Sequence, residues 1–270
     1  MNILLSNDDG VNARGIYVAY QALKDIADVT IVAPTENNSS IGHKLTLFKH
    51  LQLKKTLIED DIEAYSLSAS PADSVTVGID YVMDEVDLVV CGINHGVNIS
   101  RDITASGTVC AAFEAVSMGI PSLAVSLYSD PKKAFKQDED GQWHMEFDFT
   151  LAREVLREVV ENIIDKGFPE CVDLLNLNVP AYYKSKNVKI TTLSPKMLNK
   201  RVIDKSDEDM AEIFNYSLDN PNDNFVMITS KLNDDYQEGS DGYCLMVEKR
   251  PSLTPLTRDM NCPILDDWLD

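Results

Sequence analysis

The chain has 270 residues, 44% of them hydrophobic, with 24 Lys and Arg against 44 Asp and Glu and a formal net charge of -20. That length allows one large domain, or a domain with a smaller appendage. The acidity opposes binding of nucleic-acid polymers and of anionic membrane surfaces, both of which are held by cationic side chains. A small anionic ligand would need a metal ion or backbone N–H groups to supply local positive potential.

Five cysteines (Cys91, Cys110, Cys171, Cys244, Cys262) are scattered and show no C-x-x-C spacing. Such usage points to free thiols in a reducing compartment, against a disulfide framework or a zinc site. The first residues carry no basic region ahead of Asp8, so no signal peptide is expected. No apolar run approaches the ~18 residues of a membrane span. A soluble, cytoplasmic protein is the expectation.

In chain order, residues 3–5 are a short apolar run that predicts a buried strand, broken by Asn7-Asp8-Asp9-Gly10. Ile16, Ala19, Tyr20, Leu23 and Ala27 follow at helical spacing. Residues 29–33 form a second strand stopped by Pro34, and a polar loop covers residues 35–43. Residues 45–67 alternate Lys and Glu with apolar residues, as short strands or a hairpin inserted into the core. Pro71 opens a helix, a position where its missing N–H costs nothing. Residues 86–91 are almost continuously apolar, which suits a central parallel strand covered on both faces. A long polar loop over residues 92–105 leads to a helix over residues 106–118, closed by Gly119.

Residues 123–127 predict a further strand, and residues 129–144 a polar surface excursion. A helical stripe through Leu151, Ala152, Val155, Val159 and Ile163 ends near Gly167, and residues 174–179 form a strand before Pro180. Residues 196–224 are charged and irregular, like an arm. The alternation predicts an α/β fold: a doubly wound, mostly parallel, Rossmann-like sheet. The core would span residues 1–190, with residues 191–270 as a C-terminal arm plus a closing strand.

In such sheets ligands bind at the carboxyl ends of the strands, where strand order reverses. Three polar clusters lie at predicted strand ends: Ser6-Asn7-Asp8-Asp9-Gly10, Asn37-Asn38-Ser39-Ser40 and Gly92-Ile93-Asn94. Two adjacent carboxylates repel one another, and both stay ionised at a desolvated strand end only beside a cation. Alone, Asp8-Asp9-Gly10 reads as a helix N-cap and a solvated turn, with Gly10 at positive φ, rather than as a metal site. The two other polar strand ends tip the reading toward a metal. Oxygen donors without Cys suit Mg²⁺ or Mn²⁺.

Ser106-Gly107-Thr108 opens a helix directly after a loop, which is either a plain N-cap or a phosphate site at the helix N-terminus. His95 and His43 lie in rim loops with no recognisable partner, while His50 and His144 sit in polar, exposed surroundings. The sequence lacks G-x-S-x-G, G-x-x-x-x-G-K-[ST] and G-x-G-x-x-G, which removes a hydrolase elbow, a P-loop and the dinucleotide fingerprint.

Taken together, these residues resemble the SurE survival-protein family. The likeness rests on the opening Ile3-Leu-Leu-Ser-Asn-Asp-Asp-Gly10 with Gly15-Ile16, then Val32-Ala-Pro34 with Asn38-Ser39, and Ser70-Pro-Ala-Asp73. It continues through Gly92-Ile-Asn94 with Gly96 and Asn98, Ser106-Gly-Thr108, and finally Gly242-Tyr243 with Leu253-Thr-Pro-Leu256, similar to the family's closing strand. The ordered matches cover residues 1 to about 256. The resemblance implies a metal-dependent phosphatase of nucleoside 5′- and 3′-monophosphates, extending in some members to short polyphosphate.

It further implies one divalent cation per subunit on Asp8, Asp9, Ser39 and Asn94, with Asn98, Ser106, Gly107 and Thr108 around the phosphate. A homodimer or homotetramer with exchanged C-terminal arms is implied as well. The chain departs from the family at Asn12, Arg14, Cys91 and Ser74, where His, Pro, Ser and Cys are common. Asn12 and Arg14 flank the metal loop and bear on substrate preference. Two routes to hydrolysis stay open: attack by a water, or attack by Asp8 or Asp9 to give an aspartyl-phosphate. A nucleotide-binding sensor without turnover is the alternative function, and an assembly protein built around the arm is a third.

Overall fold

Strand residues alternate between the two faces of a sheet, so the order of apolar residues decides which helices each strand meets. The computed structural model describes residues 1–59, 61–137, 143–195, 198–204, 226–232 and 235–259. In chain order the first strands are β1 (Asn2–Ser6), β2 (Asp28–Pro34), β3 (Leu53–Ile58), β4 (Ile62–Leu67), β5 (Leu88–His95) and β6 (Ser122–Tyr128). Two three-residue strands, β7 (Phe135–Gln137) and β8 (Trp143–Met145), pair only with each other. They are followed by β9 (Leu174–Pro180), β10 (Lys189–Ile190), β11 (Asn199–Asp204), β12 (Val226–Lys231) and β13 (Ser252–Leu256). The helices are α1 (Arg14–Leu23), α2 (Pro71–Val77), α3 (Gly107–Ser117), α4 (Pro131–Ala134), α5 (Thr150–Lys166) and α6 (Asp241–Met246).

The main sheet runs β10-β13-β9-β6-β5-β1-β2-β4-β3. Strands β4, β2, β1, β5, β6 and β9 are parallel, while β3 is antiparallel to β4 and β13 antiparallel to β9. Ile3 and Leu5, Ile31 and Ala33, and Leu88 and Val90 face α1 and α5. Leu4, Val32, Val89 and Cys91 face α2 and α3 on the other side. The fold is therefore the doubly wound α/β sheet that the alternation of elements predicts.

Three details differ from the sequence reading. The hairpin of β3 and β4 extends the main sheet, because Val32, Ala33 and Pro34 pair in parallel with Tyr65, Ser66 and Leu67. The loop expected from Gly92 starts after His95 instead. Past a register shift, Asn94 and His95 still pair with Ser126 and Leu127, so backbone pairing carries the strand through polar residues. Gly242 and Tyr243 sit on α6 and not in the closing strand; Ser240 caps that helix by accepting from the Tyr243 N–H. Of the charged arm, β11 and β12 form an antiparallel hairpin, and residues 205–225 lie outside the described residues. Among the described residues, no helix is long and apolar enough to cross a membrane.

Strand order reverses at β1: the chain proceeds to β2 and β4 on one side, then returns to β5, β6 and β9 on the other. The crevice between the carboxyl ends of β1 and β5 is thus the topological switch point. Asp8 follows β1 directly, and Asn94 stands near the end of β5.

Candidate metal and phosphate site

At the end of β1 the chain turns on Asn7, whose side chain donates to the Gly10 carbonyl and accepts from the Gly10 N–H. Gly10 adopts φ +103°, as the Asp-Asp-Gly turn requires. The turn leaves Asp8 only 3% exposed at the sheet edge. Its backbone carbonyl accepts from the Asn38 N–H at 2.6 Å, which joins the first two rim loops. Asp9 accepts from the Asn37 side chain at 3.2 Å and from the His95 backbone N–H at 3.0 Å, and so reaches the third. All three polar strand ends meet through the Asp8 backbone carbonyl and the Asp9 carboxylate.

Helix α3 approaches from behind. Thr108 donates its hydroxyl to Asp8 Oδ1 at 2.5 Å. Gly107 lies so close that a Cβ there would stand 2.8 Å from Asp8 Cβ and Oδ2, so only glycine permits this approach. Ser106 caps the helix by accepting from the Val109 N–H. Burial is the main force on the Asp8 carboxyl, raising it from 3.8 to about 6; the Thr108 hydroxyl opposes the rise and the Asp9 charge adds to it. No Lys or Arg pairs with Asp8 or Asp9 among the described residues.

In front of Asp8 opens a cleft of about 490 Å³ whose floor includes Asp8, Ser39, Asn94, Asn98 and Ser106. The sequence-predicted residues thus divide. Those five share the cleft, whereas Gly107 and Thr108 are buried behind Asp8, and Asp9 ties the loops together. Ser39 is exposed, with its backbone N–H held by the Asn37 side chain at 2.9 Å. Asn94 lines the cleft and donates from its amide to the Gly96 carbonyl. Asn98 is fixed on every side: its amide donates to Ser126 Oγ, its N–H to Asn178, and its carbonyl accepts from Asn176 and Asn178.

His95 is neither a surface residue nor an isolated one. Its ring stacks on Phe147 at 4.9 Å and leans on Phe149, with Nδ1 3.6 Å from Asp9 Oδ2. Burial lowers its pKa and outweighs the Asp9 charge, which favours the neutral ring. His43 stands outside the cleft, paired with Glu114 at 2.7 Å. Arg14 turns away as well, covering the Tyr17 ring at 4.5 Å, and does not line the cleft.

Sequence reasoning missed a group on the cleft's outer side. Asp102, 8% exposed in its side chain, holds Lys200 Nζ at 2.6 Å and accepts from the Leu198 N–H. Lys200 is the one cationic side chain among the described residues of the cleft lining. Asn176 and Asn178, which the sequence places only within a strand, are wholly buried on β9. Two polar residues alternating on the same face of a core strand were the available signal.

A donor set of two carboxylates, a hydroxyl and an amide oxygen is all hard oxygen, the chemistry that holds Mg²⁺ or Mn²⁺. A buried Asp8 beside Asp9 without a basic partner fits such a cation, whose charge would offset the burial that holds Asp8 near 6.

Comparison with known sequences decides the family. The profile described as "Survival protein SurE" matches residues 3–200. The chain belongs to the SurE family. A "5'-nucleotidase SurE" of Methanobrevibacter smithii is 35% identical over 273 residues, covering all of both chains. Another of that name, from Methanothermobacter thermautotrophicus, is 44% identical over 201 residues, covering 74% of this chain and 75% of its own. The crystal structure of the SurE protein from Aquifex aeolicus superposes with a TM-score of 0.75 at 30% identity, covering 97% of this chain and 95% of that one. In this SurE protein the three polar rim loops meet at the switch point of the sheet.

Proposed function

We propose that this SurE protein is a metal-dependent 5′-nucleotidase that hydrolyses nucleoside 5′- and 3′-monophosphates, with short polyphosphate as a further substrate. The reading is carried by the buried Asp8 carboxylate, set beside Asp9 and opening on a cleft floored by Ser39, Asn94, Asn98 and Ser106. Relatives named 5′-nucleotidase at 35% identity over the whole chain support it.

Asp8, Asp9, Ser39 and Asn94 would hold one divalent cation, Mg²⁺ or Mn²⁺. When bound, it supplies Lewis acidity toward phosphoryl oxygens and toward water. Thr108 keeps Asp8 oriented and favours its ionised form by donating to Oδ1. Asn98 is held by four hydrogen bonds, so it presents a fixed polar edge to the phosphate and loses little entropy on binding. Ser106 and the first turn of α3 add partial positive charge at the floor. Asp8 or Asp9 acting as a nucleophile is the competing route, and it predicts an acid-stable, hydroxylamine-sensitive phosphoryl label on the protein.

The protein works in the cytoplasm as a homodimer or homotetramer, with residues 1–190 as the catalytic core. Residues 191–270 contribute the arm and closing strand. The test is phosphate release by chelator-treated protein from AMP, GMP, CMP, UMP and p-nitrophenyl phosphate, with Mg²⁺, Mn²⁺ or EDTA. Metal-restored release from the nucleotides is expected. Nucleotide binding without release under any metal would favour the sensor instead.

A further inference from the structure

The cleft is chemically two-sided. Its floor is polar, built from Asp8, Ser39, Asn94 and Asn98, whereas Val97, Ile99, Leu198 and Ile228 form an apolar side. Part of that side comes from the β11–β12 hairpin. Across this hairpin Val202 lies directly opposite Ile228, so both point to one face, and Lys200 shares it two residues away. Val202 and Ile228 are 64% and 74% exposed, a pair of β-branched residues left uncovered where the hairpin borders the cleft.

Isolated apolar residues on a surface need no explanation, but Ile228 lines the cavity that contains the proposed reaction centre, and Val202 flanks it on the same hairpin face. A phosphate monoester held at Asp8 must project its alcohol portion along the same cleft. A nucleoside offers what the apolar side lacks: a flat, weakly hydrated ring that covers branched aliphatic carbon.

The hairpin is not left loose. Asp102 sits in the 3₁₀ turn Ser100–Ala105, immediately before the cap of α3. Its carboxylate takes the Lys200 ammonium on one oxygen and the Leu198 N–H on the other. One nearly buried carboxylate thus fastens the base of the hairpin to the turn that precedes Ser106. Removing Lys200 would leave Asp102 without its counter-charge and the hairpin without its anchor.

We propose that the β11–β12 hairpin is the nucleoside-recognition wall of the cleft, with Ile228 meeting the base and the Lys200–Asp102 pair locking the wall in place. The assignment rests on the phosphatase reading above and adds to it the origin of preference for nucleotides over small aliphatic phosphate esters. Ile228 is a specificity residue, and Lys200 is a positioning residue that acts through the hairpin.

The experiment compares kcat/KM for AMP with that for glycerol 2-phosphate in the full-length, Mn²⁺-loaded protein and in Ile228→Ser, Lys200→Gln and Lys200→Arg. The selectivity ratio is expected to fall roughly tenfold or more in Ile228→Ser, the scale of one lost apolar contact in a pocket. It should fall similarly in Lys200→Gln, through KM for AMP, and recover in Lys200→Arg, which keeps the charge on Asp102. A ratio at the wild-type value in both Ile228→Ser and Lys200→Gln overturns the proposal, whether or not absolute rates drop. If Ile228→Ser also dissociates an oligomer at an unchanged ratio, Val202 and Ile228 belong to a subunit interface instead. Should the wild type release phosphate from neither ester, the phosphatase reading itself fails. Calorimetric titration with AMP against inorganic phosphate then decides the wall: AMP must bind more tightly than phosphate, and Ile228→Ser must remove that advantage.

Discussion

Burial raises the Asp8 carboxyl from 3.8 to about 6, so an ionised Asp8 opposes folding of the metal-free protein at neutral pH. A carboxyl raised on folding contributes stability below its unfolded value. That contribution is lost as pH rises through the folded value, here between about 4 and 6. A shift of this size corresponds to about 3 kcal/mol at pH 7. In EDTA, Asp8→Asn is therefore expected to be more stable than wild type at pH 7. The two should converge near pH 4, as read by urea unfolding across that range. With Mn²⁺ the order reverses, because the cation stabilises only the folded wild type. Thr108→Val removes the hydroxyl that favours the ionised form while keeping the shape of the side chain. Loss of such an outer-shell partner should weaken Mn²⁺ binding by 10- to 100-fold in a calorimetric titration, with little change in the fold. The pair Asp8-Asp9 was legible in the sequence, but Thr108 read as a phosphate ligand. That a helix would press its second residue against Asp8 depends on packing between segments 100 residues apart.

Helix α3 shows how an element's position, more than its composition, makes the site. Gly107 packs against Asp8, just past the end of β1, with no room for a Cβ. Gly107→Ala is expected to preserve helical content, since Ala is the better helix former. It should displace Asp8 and lower kcat/KM for AMP by roughly 100-fold, in line with small misplacements elsewhere. Circular dichroism together with steady-state kinetics separates the two effects. The α2 start offers a purely structural contrast: Ser70 and Asp73 form a reciprocal capping box, and Asp73 also accepts from the Thr46 N–H. Ser70→Ala should cost about 1 kcal/mol in thermal unfolding. Strand positions were readable from apolar runs such as residues 88–91, which are buried on both faces. The continuation of β5 to His95 was not, because polar residues at a sheet's carboxyl edge look like loop until their backbone pairs are seen.

At the scale of the molecule, a net charge of -20 stands against the dianionic ester that the proposed cleft would bind. The α3 N-terminus and Lys200 supply local positive potential at that cleft, and a cation held there would add to it. The order of elements predicted the doubly wound sheet, and its switch point falls where Asp8 and Asn94 stand. Long-range pairing explains what stayed hidden. The β3–β4 hairpin joins the sheet edge, and Lys200 meets Asp102 across 98 residues of chain. Neither contact leaves a periodic trace in sequence. The proposed site requires that Asp8, Asp9, Ser39 and Asn94 together hold a cation on which hydrolysis depends. The most direct measurement titrates Mn²⁺ into chelator-treated wild type and Asp8→Asn while following phosphate release from AMP. Saturable activation in wild type at one equivalent per chain, absent in Asp8→Asn, is the predicted result. Release that persists in EDTA, or equal activation of the Asp8→Asn protein, would contradict it.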